Sequence, residues 1–157
     1  MEFSEPGDAL QRDLRVEPLA SLDTMIRRVE DELDRTGGAH PGVTLLRTIE
    51  AVGTGNLGVN LDTANLILYG KANPVDALDV FGSHVRGVHA KDGLYPTNGI
   101  ELGREVPIGQ GRVDFPRFIQ ALKAVGYTGT LTIEREISGP QQMADITAAV
   151  EYLKTLC

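Results

Sequence analysis

The chain has 157 residues, 41% of them hydrophobic, enough for one domain with a real core. A net charge of −7 argues against a general nucleic-acid or membrane-surface binder, and the single cysteine, Cys157, excludes an internal disulfide. No apolar run approaches the roughly 20 residues of a membrane span, and the acidic start Met1-Glu2-Phe3-Ser4-Glu5 lacks a signal peptide's basic region, so a cytoplasmic enzyme or enzyme fragment is expected.

Ten acids against five bases fall within residues 1–36, so most of the excess charge lies there and says little about the rest. Residues 1–20 are polar and aperiodic, with Pro6-Gly7 and Pro18 as breakers, and read as a tail. From Ser21, Leu22, Met25, Ile26, Val29 and Leu33 share one helical face until Gly37-Gly38 ends the run. Residues 1–40 therefore read as an acidic tail plus one helix, and 41–157 as an α/β region. Gly42-Val43-Thr44-Leu45-Leu46 reads as a strand running straight into a helix over 47–52, with Glu50 on its solvent side. Gly58-Val59-Asn60-Leu61-Asp62 is the next strand. Asn73 then caps a helix with Pro74 at its first position; Val75, Leu78 and Phe81 face inward and Gly82 closes it. Val85-Arg86-Gly87-Val88-His89 is a strand, followed by a long loop over 90–113. Asp114 caps a helix carrying Phe115, Phe118, Ile119, Leu122 and Val125, which Gly126 terminates. Thr130-Leu131-Thr132-Ile133-Glu134 is the last strand. The last helix, 141–155, has Met143, Ile146, Val150 and Leu153 on one face.

Three consecutive βα units imply parallel strands with right-handed crossovers. That pattern fits an open doubly wound sheet as well as part of a closed barrel. The turn Asp62-Thr63-Ala64-Asn65 has no G-x-G-x-x-G, which counts against a dinucleotide fold.

Each of these three strands ends in a potential metal ligand: Asp62, His89 and Glu134. Sites in parallel α/β proteins assemble at the C-terminal strand edge. Alternation puts His89 on one face with Gly87 and Val85, and Glu134 with Thr132 and Thr130. Two carboxylates and an imidazole there suit manganese, magnesium, cobalt or zinc. Blander roles exist for each residue. Asp62 could cap the next helix, His89 could be packing, and Glu134 could pair with Arg135 or Arg86. What favours a site is the repetition of ligand types at one structural position. His84 and His40 lack that context and read as solvated.

Four motifs together carry a resemblance. They are Gly58-Val59-Asn60-Leu61-Asp62-Thr63-Ala64-Asn65, Val88-His89-Ala90-Lys91-Asp92, Gly109-Gln110-Gly111-Arg112-Val113-Asp114-Phe115 and Leu131-Thr132-Ile133-Glu134. In order and spacing they resemble the sugar phosphate isomerase/epimerase family, which has a xylose isomerase-like TIM barrel and is related to endonuclease IV. The likeness covers roughly residues 43–155. It implies that the chain is the C-terminal part of such a barrel, with Asp62, His89 and Glu134 as three of four ligands of a divalent metal. It further implies that Glu134 is one of two glutamates exchanging the proton next to a sugar or sugar phosphate carbonyl. Lys91 and Asp92 fall where the family contacts substrate or orients the histidine; a solvated Lys-Asp-Gly turn is the alternative. Asn65 is expected to bind a sugar hydroxyl, and Arg112 a phosphate or carboxylate, unless it is simply exposed.

The chain also departs from the family. Asn65 stands where a histidine is frequent, and with three histidines in all a multi-zinc phosphodiesterase is the least favoured alternative. A full barrel takes about 250 residues, and its first four strands are expected to be absent. With 42–46 read as a strand and 47–52 as its helix, the family's other glutamate and its loop would be missing between Leu46 and Arg47. The chain alone is then expected to be an impaired epimerase that associates with itself or with a missing barrel half. The competing expectation is a non-catalytic half-barrel serving binding or assembly.

Overall fold

The structure is a computed structural model and describes residues 41–70 and 72–157. The helix expected over 21–36 lies outside the described residues. Valine- and leucine-rich segments form a parallel sheet in the order β1 (Val59–Asp62), β2 (Val85–Ala90), β5 (Leu131–Ile133). The register sets Asp62 opposite His89 and His89 opposite Thr132, so the ends of β1 and β2 coincide. Glu134 follows β5 directly, and its N–H donates to the Ala90 carbonyl at 3.1 Å, extending the ladder.

Helices cover one face of the sheet: α1 (Pro41–Val52), α2 (Thr63–Leu68), α3 (Pro74–Phe81), α4 (Phe115–Ala124) and α5 (Pro140–Lys154). Leu61, Val88 and Ala90 meet Ile67, Leu78, Phe81, Phe115, Phe118 and Leu122 in one core. The local start signals hold. Asn73 accepts from the Val75 N–H at 2.8 Å with Pro74 following, and Asp114 accepts from the Arg117 N–H at 3.2 Å. Gly126 takes φ +76°, a left-handed conformation suited to glycine, just past α4.

Four expectations are corrected. Residues 42–46 are not a strand: they belong to α1, a single helix through Val52. Ile49 and Val52 are buried, α1 packs against α3, and Thr48 Oγ1 donates to the Thr44 carbonyl one turn back. The run winds once around a helix, with Val43, Thr44 and Leu46 half-buried and Leu45 exposed, so there is no strand–helix junction at Leu46-Arg47 and no basis for a glutamate loop lost there. Glu50 is exposed, as expected of its helical position.

The second correction concerns 90–113, which contains an antiparallel ribbon, β3 (Asp92–Leu94) with β4 (Arg104–Val106). Third, a register shift beside Val59 breaks alternation in β2, and Val85 joins the core instead of sharing the face of His89. Fourth, α5 buries Asp145, Ala149 and Leu153, whereas Met143 is 68% exposed.

Candidate metal centre

Asp62 closes β1 and begins α2. Its Oδ1 accepts the N–H groups of Ala64 and Asn65 at 2.9 and 3.0 Å. The helix-capping role is therefore real, and Oδ2 remains directed to the site, 3.9 Å from Lys91 Nζ. Burial raises the Asp62 carboxyl above its ordinary value, partly offset by the Asn65 N–H and the Lys91 charge.

His89 leaves β2 between Asn60 and Glu134. Nε2 lies 3.3 Å from Asn60 Nδ2, and Nδ1 lies 3.1 Å from Glu134 Oε2. With the amide donating to Nε2, the Nδ1–H donates to the carboxylate. Glu134 pairs with neither Arg135 nor Arg86. Arg135 turns the other way, and Arg86 donates to the carbonyls of Ser83 and Val85.

One donor atom each from Asp62, His89 and Glu134 lies within 4.8 Å of the other two. Ligands at right angles about 2.1 Å from an ion sit about 3 Å apart, and opposed ligands about 4.2 Å apart. The 3.1 Å between His89 Nδ1 and Glu134 Oε2 suits adjacent ligands once the Nδ1 proton has moved to Nε2, with the Asn60 amide turned to accept it through Oδ1. The set suits a divalent cation in its chemistry, and the His89–Glu134 pair has the spacing of adjacent ligands.

Lys91 and Asp92 are not a solvated turn; each is 1% exposed. Lys91 reaches Glu136 Oε1 at 2.5 Å and stands 3.8 Å from Glu134 Oε2. Burial alone would depress its ammonium, but the bond to Glu136 and the charges of Asp62 and Glu134 outweigh that and raise it. Asp92 faces away from the cluster. Its Oδ1 accepts from Gly93 and Val113, and its Oδ2 from Gly109 and Gly111, all at 2.8–3.1 Å. It holds the loop that carries Arg112. Arg112 and Asn65 are both exposed, Asn65 in the first turn of α2 beside Asp62.

Sequence reasoning missed several members of this neighbourhood. Thr63, fully buried, exchanges hydrogen bonds with the backbone of Lys91, its Oγ1 donating to the carbonyl at 2.5 Å and accepting the N–H at 3.1 Å. That clamp ties the end of β1 to the end of β2. Glu136, two residues beyond Glu134, holds Lys91. Arg135 bridges Glu105 and Asp145 at 2.9 and 2.8 Å, fastening the ribbon and α5 to the end of β5. Asp145, an acid in the second turn of α5, was the available signal, but its partner is ten residues away.

The Arg135 bridge makes a pH prediction. Hydrogen bonds from Arg135 and Gln141 hold the Asp145 carboxyl below its ordinary value. A carboxylate lowered in the fold stabilises above its unfolded value, about pH 4, and loses that contribution as pH falls through the folded value. Arg135→Met should therefore lower the melting temperature at neutral pH, with the deficit shrinking below about pH 4. Melts across that range measure it; a deficit that stays constant into acid contradicts the pairing.

A parallel α/β sheet with ligand-type side chains gathered at its C-terminal edge is shared by open doubly wound sheets and (β/α)-barrels, and the comparisons with known proteins decide for the barrel. The chain belongs to the xylose isomerase-like TIM barrel family, whose model matches residues 32–156. A xylose isomerase domain protein from Planctomyces limnophilus is 42% identical, with a TM-score of 0.71 over 73% of this chain and 43% of that one. A second, from Alicyclobacillus acidocaldarius subsp. acidocaldarius, shares the fold at a TM-score of 0.53 and 23% identity, over 72% of this chain and 42% of its own. The uncharacterized protein YfiH of Bacillus subtilis is 32% identical over 129 residues, and the uncharacterized protein MJ1311 of Methanocaldococcus jannaschii 30% over 112. Each match takes in 71% of this chain, but only 41% and 35% of those proteins. The chain thus spans less than half the length of these relatives. No helix among the described residues is long and apolar enough to cross a membrane.

Proposed function

We propose that this chain contributes the metal-binding, proton-exchanging side of a divalent-metal sugar or sugar phosphate isomerase/epimerase. The observation that carries the reading is the approach of Asp62, His89 and Glu134 at the ends of three parallel strands. These three residues would hold the ion, whether manganese, magnesium, cobalt or zinc. Bound there, such an ion polarises carbonyl and hydroxyl oxygens, which acidifies the neighbouring C–H. Glu134, half-exposed beside His89, takes or returns that proton. Asn60, its amide oxygen turned to accept the Nε2–H of the metal-bound tautomer, would set the imidazole's orientation. Asn65 and Arg112, both exposed, are the groups we assign to a sugar hydroxyl and to a phosphate respectively. Asp92 acts by holding the Arg112 loop, and Lys91 by placing a positive charge beside the carboxylates.

The test is deuterium exchange from solvent into the carbon beside the carbonyl of ketohexoses and their phosphates, with manganese or magnesium added. Glu134→Gln should reduce exchange about 10²–10⁴-fold, the usual value of a positioned acid–base group. Arg112→Gln should chiefly raise KM for phosphorylated substrates. Equal losses from both substitutions, or full activity in Glu134→Gln, would remove the proton-transfer role.

A second reading has its own support. In the described sheet β1 and β5 each have one free edge, which favours assembly with a second copy or a complementary barrel segment. No exchange by any variant, together with a dimeric elution volume on sizing, would favour an assembly role over catalysis.

A further inference from the structure

A lysine that is 1% exposed is unusual and has to be explained by its partners. The Lys91 backbone is clamped from both sides by Thr63, which fixes where its side chain departs from β2. Its ammonium hydrogen-bonds the outermost carboxylate, Glu136, which is 62% exposed. It stands off from the two ligand-type carboxylates, at 3.9 Å from Asp62 Oδ2 and 3.8 Å from Glu134 Oε2. Those separations exceed a hydrogen bond but leave the attraction strong in a partly buried place. Three carboxylates and one ammonium leave the group at −2, the charge that a single divalent cation cancels.

We propose that Lys91 is the resident counter-cation of this site, neutralising the Asp62, Glu134 and Glu136 carboxylates and opposing the charge of any divalent ion that enters. The inference rests on the metal reading of Asp62, His89 and Glu134, and it deepens that reading by giving Lys91 control of affinity. A simpler role, in which Lys91 only orients the carboxylates, makes the opposite prediction. An orienting residue strengthens metal binding, so its loss weakens it. A competing cation weakens metal binding, so its loss tightens it.

The experiment is Mn²⁺ titration of the full 157-residue chain by calorimetry, comparing wild type with Lys91→Met and Glu136→Gln, alongside melts with and without Mn²⁺. Lys91→Met, of similar length but neutral, should bind roughly tenfold tighter, and Glu136→Gln, with one negative charge fewer, several-fold weaker. Without metal, Lys91→Met should melt lower than wild type, and Mn²⁺ should raise its melting temperature more. If wild type binds and a folded Lys91→Met binds equally or more weakly, the counter-cation role is overturned while the metal reading stands. If neither binds Mn²⁺, the metal reading falls and the inference with it. Should Lys91→Met fail to fold, Glu136→Gln decides, because an exposed residue tolerates the change: unchanged or tighter binding overturns the proposal.

Discussion

Asp62→Asn is expected to abolish useful metal binding while leaving the fold intact. The residue has two tasks that this substitution separates. As the cap of α2, Asp62 accepts two backbone N–H groups through one oxygen, and asparagine caps a helix about as well as aspartate. As a ligand it must offer a negative oxygen, which an amide does not. Burial raises the Asp62 carboxyl, so keeping it ionised there has a stability cost that the neutral amide avoids. Mn²⁺ affinity should fall about a hundredfold or more, beyond the 10–100-fold typical of residues that only support a ligand. His89→Ala should lose metal to the same degree, because the imidazole is half-exposed and little of the core depends on it. Calorimetry reads the affinity and thermal melts the fold. Retained binding in Asp62→Asn would reduce Asp62 to a helix cap.

Asp92→Ala should be the most destabilising single change in the described region, and Asp92→Asn nearly as harmful. Four N–H groups, from Gly93, Gly109, Gly111 and Val113, converge on this buried carboxylate. Alanine would leave all four without their acceptor, a loss of about 3–5 kcal/mol by analogy with breaking a buried charged pair. At about 2–4 °C per kcal/mol for a chain of this size, melting should drop by roughly 10 °C. Asparagine keeps one accepting oxygen, but its NH₂ must face one pair of donors, so donor meets donor. The site should feel the change too, since Arg112 rides on this loop and its N–H donates to the Gly93 carbonyl at 2.9 Å. Amide exchange supplies the local readout: protection at Gly109, Gly111 and Val113 should vanish before that of β2. A melting temperature within a degree or two of wild type would show that the loop is held by other means.

What could be read from the sequence was whatever is encoded within a few residues. Asn73-Pro74 and Asp114 announce their helices because a cap and its N–H partner are two or three residues apart. The alternation of strand and helix places Asp62, His89 and Glu134 at equivalent strand ends, because each closes its own local pattern. The family resemblance follows from the same four motifs, and the family match agrees with it.

Where two local patterns coincide, sequence reasoning went astray. A five-residue, mostly apolar run such as Gly42–Leu46 suits a short strand or a single turn of helix equally, and only its packing on α3 decides. The β3–β4 ribbon was hidden for a related reason: its strands are three residues long, and Asp92 finds Val106 across the intervening loop. Tertiary structure alone decided the electrostatics. His89 meets Glu134 at a separation of 45 residues, Thr63 meets Lys91 at 28, and Arg135 meets Glu105 at 30. Lys91 and Asp92 look like a solvated turn until those distant partners arrive, because a charged side chain is buried only when something far along the chain compensates it. The sequence by itself determined which residues reach the C-terminal edge of the sheet. Only folding determined that the Asp62 and Glu134 carboxylates converge on one lysine while Asp92, its neighbour, serves the opposite side.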